Sequence, residues 1–116
     1  MSLEKLVEAF AQHTAAQTDS IGRGDSQAAN KHAKKVNATF DKLCAHGTPG
    51  RDALSVLFTH PRMDVRVKAA AFLLRHRTEE ATTVLKEAAQ SEGLASFSAS
   101  EVLKRWEEGT WALDPE

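Results

Sequence analysis

The stretch HPRMDVRVKAAAFLLRH, residues 60–76, constrains the fold more than any other part of the chain. On a helical wheel, Val65, Val67, Ala69, Ala70, Ala71, Phe72, Leu73 and Leu74 spread around most of the circumference. Only a narrow sector is polar, and it holds Asp64, Lys68 and Arg75. A helix apolar on so many sides has to be packed from several directions, so this one must be central. Arg66 falls outside the polar sector, between Leu73 and Ala70. A guanidinium there needs a carboxylate or backbone carbonyls, because an unpaired charge in the interior is strongly unfavourable.

The segments available to surround that helix are helical too. The β-branched and aromatic alternation of strands is missing, whereas helical periodicity runs through nearly the whole chain. Leu3, Leu6, Val7, Phe10, Thr14 and Ile21 share one face of a first helix, with Ser2 as its N-cap and Glu4 in its first turn. The loop GRGD ends it, Gly22 or Gly24 supplying a left-handed turn and Asp25 capping the next helix. That second helix, over about 26–46, aligns Ala29, Ala33, Val36, Phe40, Leu43 and Cys44, with Lys31, Lys34, Lys35 and Lys42 on the far side. Thr48-Pro49 reads as an N-cap and first helical proline for a short helix through Ala53, Leu54, Val56, Leu57 and Phe58. Pro61 is then expected to open the central helix, and Thr78 a fifth. Ser96 or Ser98 caps a sixth, Ser98 with Glu101 having capping-box spacing, and its apolar residues include Phe97, Val102, Leu103 and Trp106.

Short connections place successive helices side by side, so the expected fold is all-α: six helices in three stacked antiparallel hairpins. An internal echo supports stacking, since Ala69, Phe72 and Leu73 recur thirty residues on as Ala99, Val102 and Leu103. The block HPRMDVRVKAAAFLL resembles the second helix of a HEAT repeat, with its proline, its Asp-Val-Arg and the Ala-Ala and Leu downstream. The resemblance implies a HEAT-like α-α superhelix in the second half. It also implies a structural ladder in which Asp64 and Arg66, following Pro61, lock one hairpin onto the next. Thirty residues on, those two positions are Leu94 and Ser96, so the ladder stops, as it would in a terminal cap. The layout as a whole is similar to a bacterial family known as domain of unknown function 2019, through LVEAFAQHTAAQ, HPRMDVRVKAAA and a final helix after a Gly- and Ser-containing loop. The resulting expectation is a single domain over residues 1–116. It comprises a long leading hairpin (1–47), the best-matching repeat (48–77), a degenerate capping repeat (78–109) and a tail (110–116).

Charge is the clearest functional signal. The net charge is −1, yet residues 31–77 carry ten Lys or Arg against Asp41, Asp52 and Asp64. Lys31, Lys34, Lys35, Lys42, Arg62, Lys68, Arg75 and Arg77 are therefore the candidate partner surface. They could meet an acidic protein or neutralise phosphates. The region has no Tyr or Trp for base stacking, and the flanking segments are acidic, which weighs against nucleic acid; a merely solvated lysine face is the commoner meaning of such a pattern. The single cysteine, Cys44, excludes an intrachain disulfide and fits a reducing compartment. No apolar run reaches membrane-spanning length, and MSLEKLVEAF lacks the basic-then-apolar order of a signal peptide, so a cytoplasmic location is expected.

Reaction chemistry is hard to find. There is no Cys-x-x-Cys or His-x-x-x-His pair, and His60 and His76 bracket a helix whose ends lie over ~20 Å apart. No Gly-x-Ser-x-Gly elbow is present, and GTPG at 47–50 lacks the Lys-Ser or Lys-Thr of a phosphate loop. Arg23-Gly24-Asp25 is explained as a helix terminator and cap. Trp111 is expected to fold back as a lid on the last hairpin. The sequence thus points to a protein without catalytic residues, cofactor or metal, working as a protein-interaction module of the adaptor or immunity type.

Overall fold

A computed structural model describes residues 2–109. Among them the chain forms six α-helices and no strand: α1 (Leu3–Gly22), α2 (Ser26–Ala45), α3 (Thr48–Leu54), α4 (Met63–Leu73), α5 (Thr78–Ala89) and α6 (Leu94–Glu107). A 3-10 turn, Ser55–Thr59, follows α3. The chain divides after Leu57 into two compact units.

In the first unit α1 and α2 form a long antiparallel hairpin, with α3 packed on both. Ser2 caps α1 by accepting from the Lys5 amide, and Asp25 caps α2 by accepting from the Ala28 amide. Between them, the amide of Asp25 donates to the Ser20 carbonyl and that of Gly24 to Ile21. Gly24 sits at φ 75°. This pair of bonds is a Schellman motif, which needs a residue free to adopt positive φ. Leu6, Val7 and Phe10 on α1 are buried, as are Ala29, Val36, Phe40 and Leu43 on α2. Thr14, Ser20 and Thr39 are buried as well, their hydroxyls donating to the carbonyls of Phe10, Ala16 and Lys35. Such back-bonding satisfies the hydroxyl within its own helix. Ile21, expected on the α1 stripe, is instead exposed at the hairpin end.

Gly47 rather than Thr48 occupies the N-cap of α3, so Pro49 is the second helical residue. At φ 73° Gly47 both ends α2, its amide donating to Cys44, and starts α3, its carbonyl accepting from Gly50 and Arg51. With one residue serving two helices, α3 has no spacer and lies hard against the end of α2. Gly50 is buried at that approach.

In the second unit α4 packs against α5 and α6, which pack on each other. Val65, Val67, Ala69, Ala70, Ala71, Phe72 and Leu73 of α4 are all buried. The expectation of a helix covered from several sides holds. Ala81, Leu85 and Ala88 of α5 and Ala99 and Val102 of α6 complete the core.

The starts of these helices differ from expectation. Pro61 precedes the N-cap of α4, which is Arg62, and the Arg62 amide donates to Nδ1 of His60. Arg77 is the N-cap of α5, while the Thr78 hydroxyl donates to the Leu74 carbonyl at 2.6 Å and ties α5 to the end of α4. The helix α6 begins at Leu94, after Gly93 at φ 100°, so Ser98 and Glu101 lie inside it and form no capping box. The Ser96 hydroxyl reaches back to the Ala89 carbonyl instead. Phe97, placed on the apolar stripe by periodicity, is 68% exposed. Val56 in the 3-10 turn is exposed too. The expected position of Trp111 lies outside the described residues.

Candidate functional site

The α2 helix buries one face and thereby fixes what the other presents. With Ala29, Val36, Phe40 and Leu43 turned inward, Lys31, Lys34, Lys35 and Lys42 are exposed. At 100° per residue, Lys31, Lys35 and Lys42 fall within roughly 40° of one another, with Lys34 at the flank. The result is a basic stripe running most of the length of the helix. Four like charges on one face keep the side chains extended and attract an anionic surface over about a Debye length.

The cations proposed on the second unit are arranged differently. Arg62 makes a bidentate pair with Asp64, Nε to Oδ1 at 3.0 Å and Nη2 to Oδ2 at 3.1 Å. Arg77 pairs with Glu80 at 2.9 Å. Arg75 is exposed. Lys68 is not the free surface cation that the wheel suggested. It is partly buried, and burial lowers its pKa, an effect opposed by the nearby Asp64 carboxylate.

Asp64 thus has its bidentate partner two residues before it, within the first turn of α4. Arg66 is half-buried, and its Nε is buried without a hydrogen-bond partner among the described residues. An orphaned buried donor costs roughly 1–3 kcal/mol. Arg66→Met keeps the aliphatic stem and removes that donor. We expect unfolding free energy to be unchanged or to rise by about 1 kcal/mol in urea titration. A loss of about 3–5 kcal/mol would instead reveal the carboxylate pairing of a ladder.

The structure brings together two residues the sequence left apart. Nδ1 of His13 on α1 and Nδ1 of His32 on α2 are 3.1 Å apart, with ring centroids at 5.4 Å. The rings face each other through these nitrogens, so a single proton shared as N–H···N holds the pair. Four residues beyond His13 on the same helical face, Oε1 of Gln17 is buried without a hydrogen-bond partner among the described residues.

Burial lowers the His13 pKa, helped by the Lys35 ammonium and by His32. The unfolded chain therefore takes up a proton near the ordinary value of 6.5 while folded His13 does not. Stability should be full above that pH, fall as pH drops through it, and level off below the folded pKa of His13. Thermal melts across this window should show the slope in the native chain and a shallower one in His13→Gln.

A family profile, domain of unknown function (DUF2019), matches residues 4–105. The chain belongs to the DUF2019 family. The match takes in all of α1 to α5 except Leu3, and α6 as far as Arg105. No curated protein matches the chain. Among solved structures, one similar to it is the crystal structure of the protein RPA1889 from Rhodopseudomonas palustris CGA009. The two are 27% identical, with a TM-score of 0.90 over 100% of this chain and 95% of the other. This DUF2019 chain therefore shares its fold along its whole length with RPA1889. Among the described residues, no group of three or more His, Cys, Asp or Glu is arranged to hold a metal, and no helix is long and apolar enough to cross a membrane.

Proposed function

We propose that this DUF2019 protein is a non-catalytic interaction module that binds an acidic surface on another protein through the exposed lysines of α2. The observation that carries the reading is the stripe itself. Lys31, Lys34, Lys35 and Lys42 are all exposed on a helix whose opposite face is fixed in the core. Positive charge spread along a rigid helix suits a broad anionic partner better than a small ligand, and it speeds encounter through long-range attraction. A HEAT-like stack of hairpins belongs to the same proposal, since stacked hairpins offer extended faces. So do a cytoplasmic setting and the role of a small bacterial adaptor or immunity-type protein.

The test is affinity capture from the native cell with the native chain and with Lys31→Glu/Lys35→Glu/Lys42→Glu. These residues are exposed, so the triple variant should keep its helicity. We expect a protein captured by the native chain, released by moderate salt, and absent with the variant. Equal recovery with both chains would defeat the reading. Nucleic acid is the second reading, favoured by the same four lysines. It predicts low-salt binding to a DNA duplex or single-stranded RNA that weakens steeply with salt. Two facts weigh against it: Arg62 and Arg77 are engaged by Asp64 and Glu80, and the Phe40 and Phe72 rings are buried rather than free to stack on bases.

A further inference from the structure

We propose that His13 and His32 form a two-imidazole site for a divalent transition-metal ion of the Zn2+, Ni2+ or Cu2+ class, clasped between α1 and α2. Imidazole nitrogens bind such ions at ~2.0–2.1 Å, so two of them on one ion stand ~2.9 Å apart at a right angle and ~3.4 Å apart at the tetrahedral angle. The observed 3.1 Å between the two Nδ1 atoms lies inside that range. In the metal-free pair the rings meet head-on and share a proton. Binding an ion requires each ring to turn about its Cβ–Cγ bond until the two lone pairs converge, and both side chains are only partly buried.

Both donors come from the two helices of one hairpin, so the nitrogens are held close before the ion arrives. Holding donors in place reduces the ordering that binding requires. The ion needs both nitrogens deprotonated, so binding is expected to weaken at acid pH. Water completes the coordination. Imidazole donors favour Zn2+, Ni2+ and Cu2+ over the hard ions Mg2+ and Ca2+. The Lys35 ammonium beside His13 sets a limit on affinity, and the site is accordingly expected to be of modest strength. Nothing in this inference depends on the lysine stripe as a partner surface.

The experiment is thermal denaturation of the full chain with Zn2+, Ni2+ or Mg2+ added to metal-free protein. A saturating ion that binds only the folded state should raise Tm by about 3–8 °C for a chain of this size. The rise should occur with Zn2+ and Ni2+, fail with Mg2+, and disappear in both His13→Gln and His32→Gln. It should persist in His46→Gln, which removes an exposed imidazole elsewhere on α2's end. Electron paramagnetic resonance of the Cu2+ form gives a second readout, with two coupled imidazole nitrogens in the native chain and at most one in either variant. No rise with Zn2+ or Ni2+, or a rise undiminished in His13→Gln or His32→Gln, overturns the site and leaves the pair a hydrogen bond alone.

Discussion

Gly50→Ala is expected to lower the stability of this chain by about 3 kcal/mol, although Gly→Ala within a helix ordinarily stabilises by roughly 1 kcal/mol. The reversal comes from where α3 begins. Gly47 closes α2 and opens α3 at once, which leaves the first turn of α3 pressed on the last turn of α2. A Cβ at position 50 would overlap the carbonyl oxygen of Leu43 and lie 2.7 Å from its carbonyl carbon and 3.1 Å from Cβ of His46. The obstacle is backbone, which cannot rotate aside, and Leu43 is itself fully buried. The helix α3 must therefore lift away, loosening its packing on α1 and α2. Gly22 supplies the contrast, because a Cβ there meets nothing within 4 Å. It sits in the last turn of α1 without positive φ, so Gly22→Ala should gain about 0.5–1 kcal/mol. Urea titration of both variants decides the matter: a shift of midpoint at constant slope reports stability alone. A Gly50→Ala chain as stable as the native one would mean that α3 stands off from α2.

The secondary-structure class and the many-sided burial of α4 were legible because such burial leaves an unmistakable composition. Ser2 and Asp25 were legible as caps for a local reason, since each bonds an amide three residues on. The later helix starts were less so. Thr48 and Ser98 are good capping residues by type, but a neighbouring glycine at positive φ, Gly47 or Gly93, takes the position and moves the start. Periodicity also cannot say how far along a helix its neighbour extends. Ile21 and Phe97 follow the apolar rhythm of α1 and α6 and still end exposed, because no helix among the described residues covers that part of the face. The candidate surface shows the same division. The α2 lysines needed only the wheel, whereas the engagement of Arg62 by Asp64 and the partial burial of Lys68 depend on side chains meeting in space. The His13–His32 contact required the register of the α1/α2 hairpin, and neither residue carries a motif that announces the other.

The second large effect is expected at Leu73. It is the last residue of α4, fully buried, in a helix that contributes seven buried side chains to the second unit. Leu73→Ala removes three carbons where α5 and α6 both pack on α4, and alanines at positions 69, 70 and 71 leave no larger neighbour on that helix segment to swell into the gap except Phe72. Large-to-small changes at such sites lose the transfer free energy of the missing atoms and a further term for the cavity, together roughly 2–5 kcal/mol. With little room for collapse, a value of about 3–4 kcal/mol is expected, a drop in Tm on the order of 10–20 °C. Phe97→Ala deletes more atoms but from a ring that is 68% exposed, so its effect should stay within about 0.5 kcal/mol. The pair is informative because residue size alone orders them the other way. If Phe97→Ala proved the more damaging, the start of α6 would have to be covered in solution, and Phe97 would belong to the packed interior that the sequence periodicity assigns it.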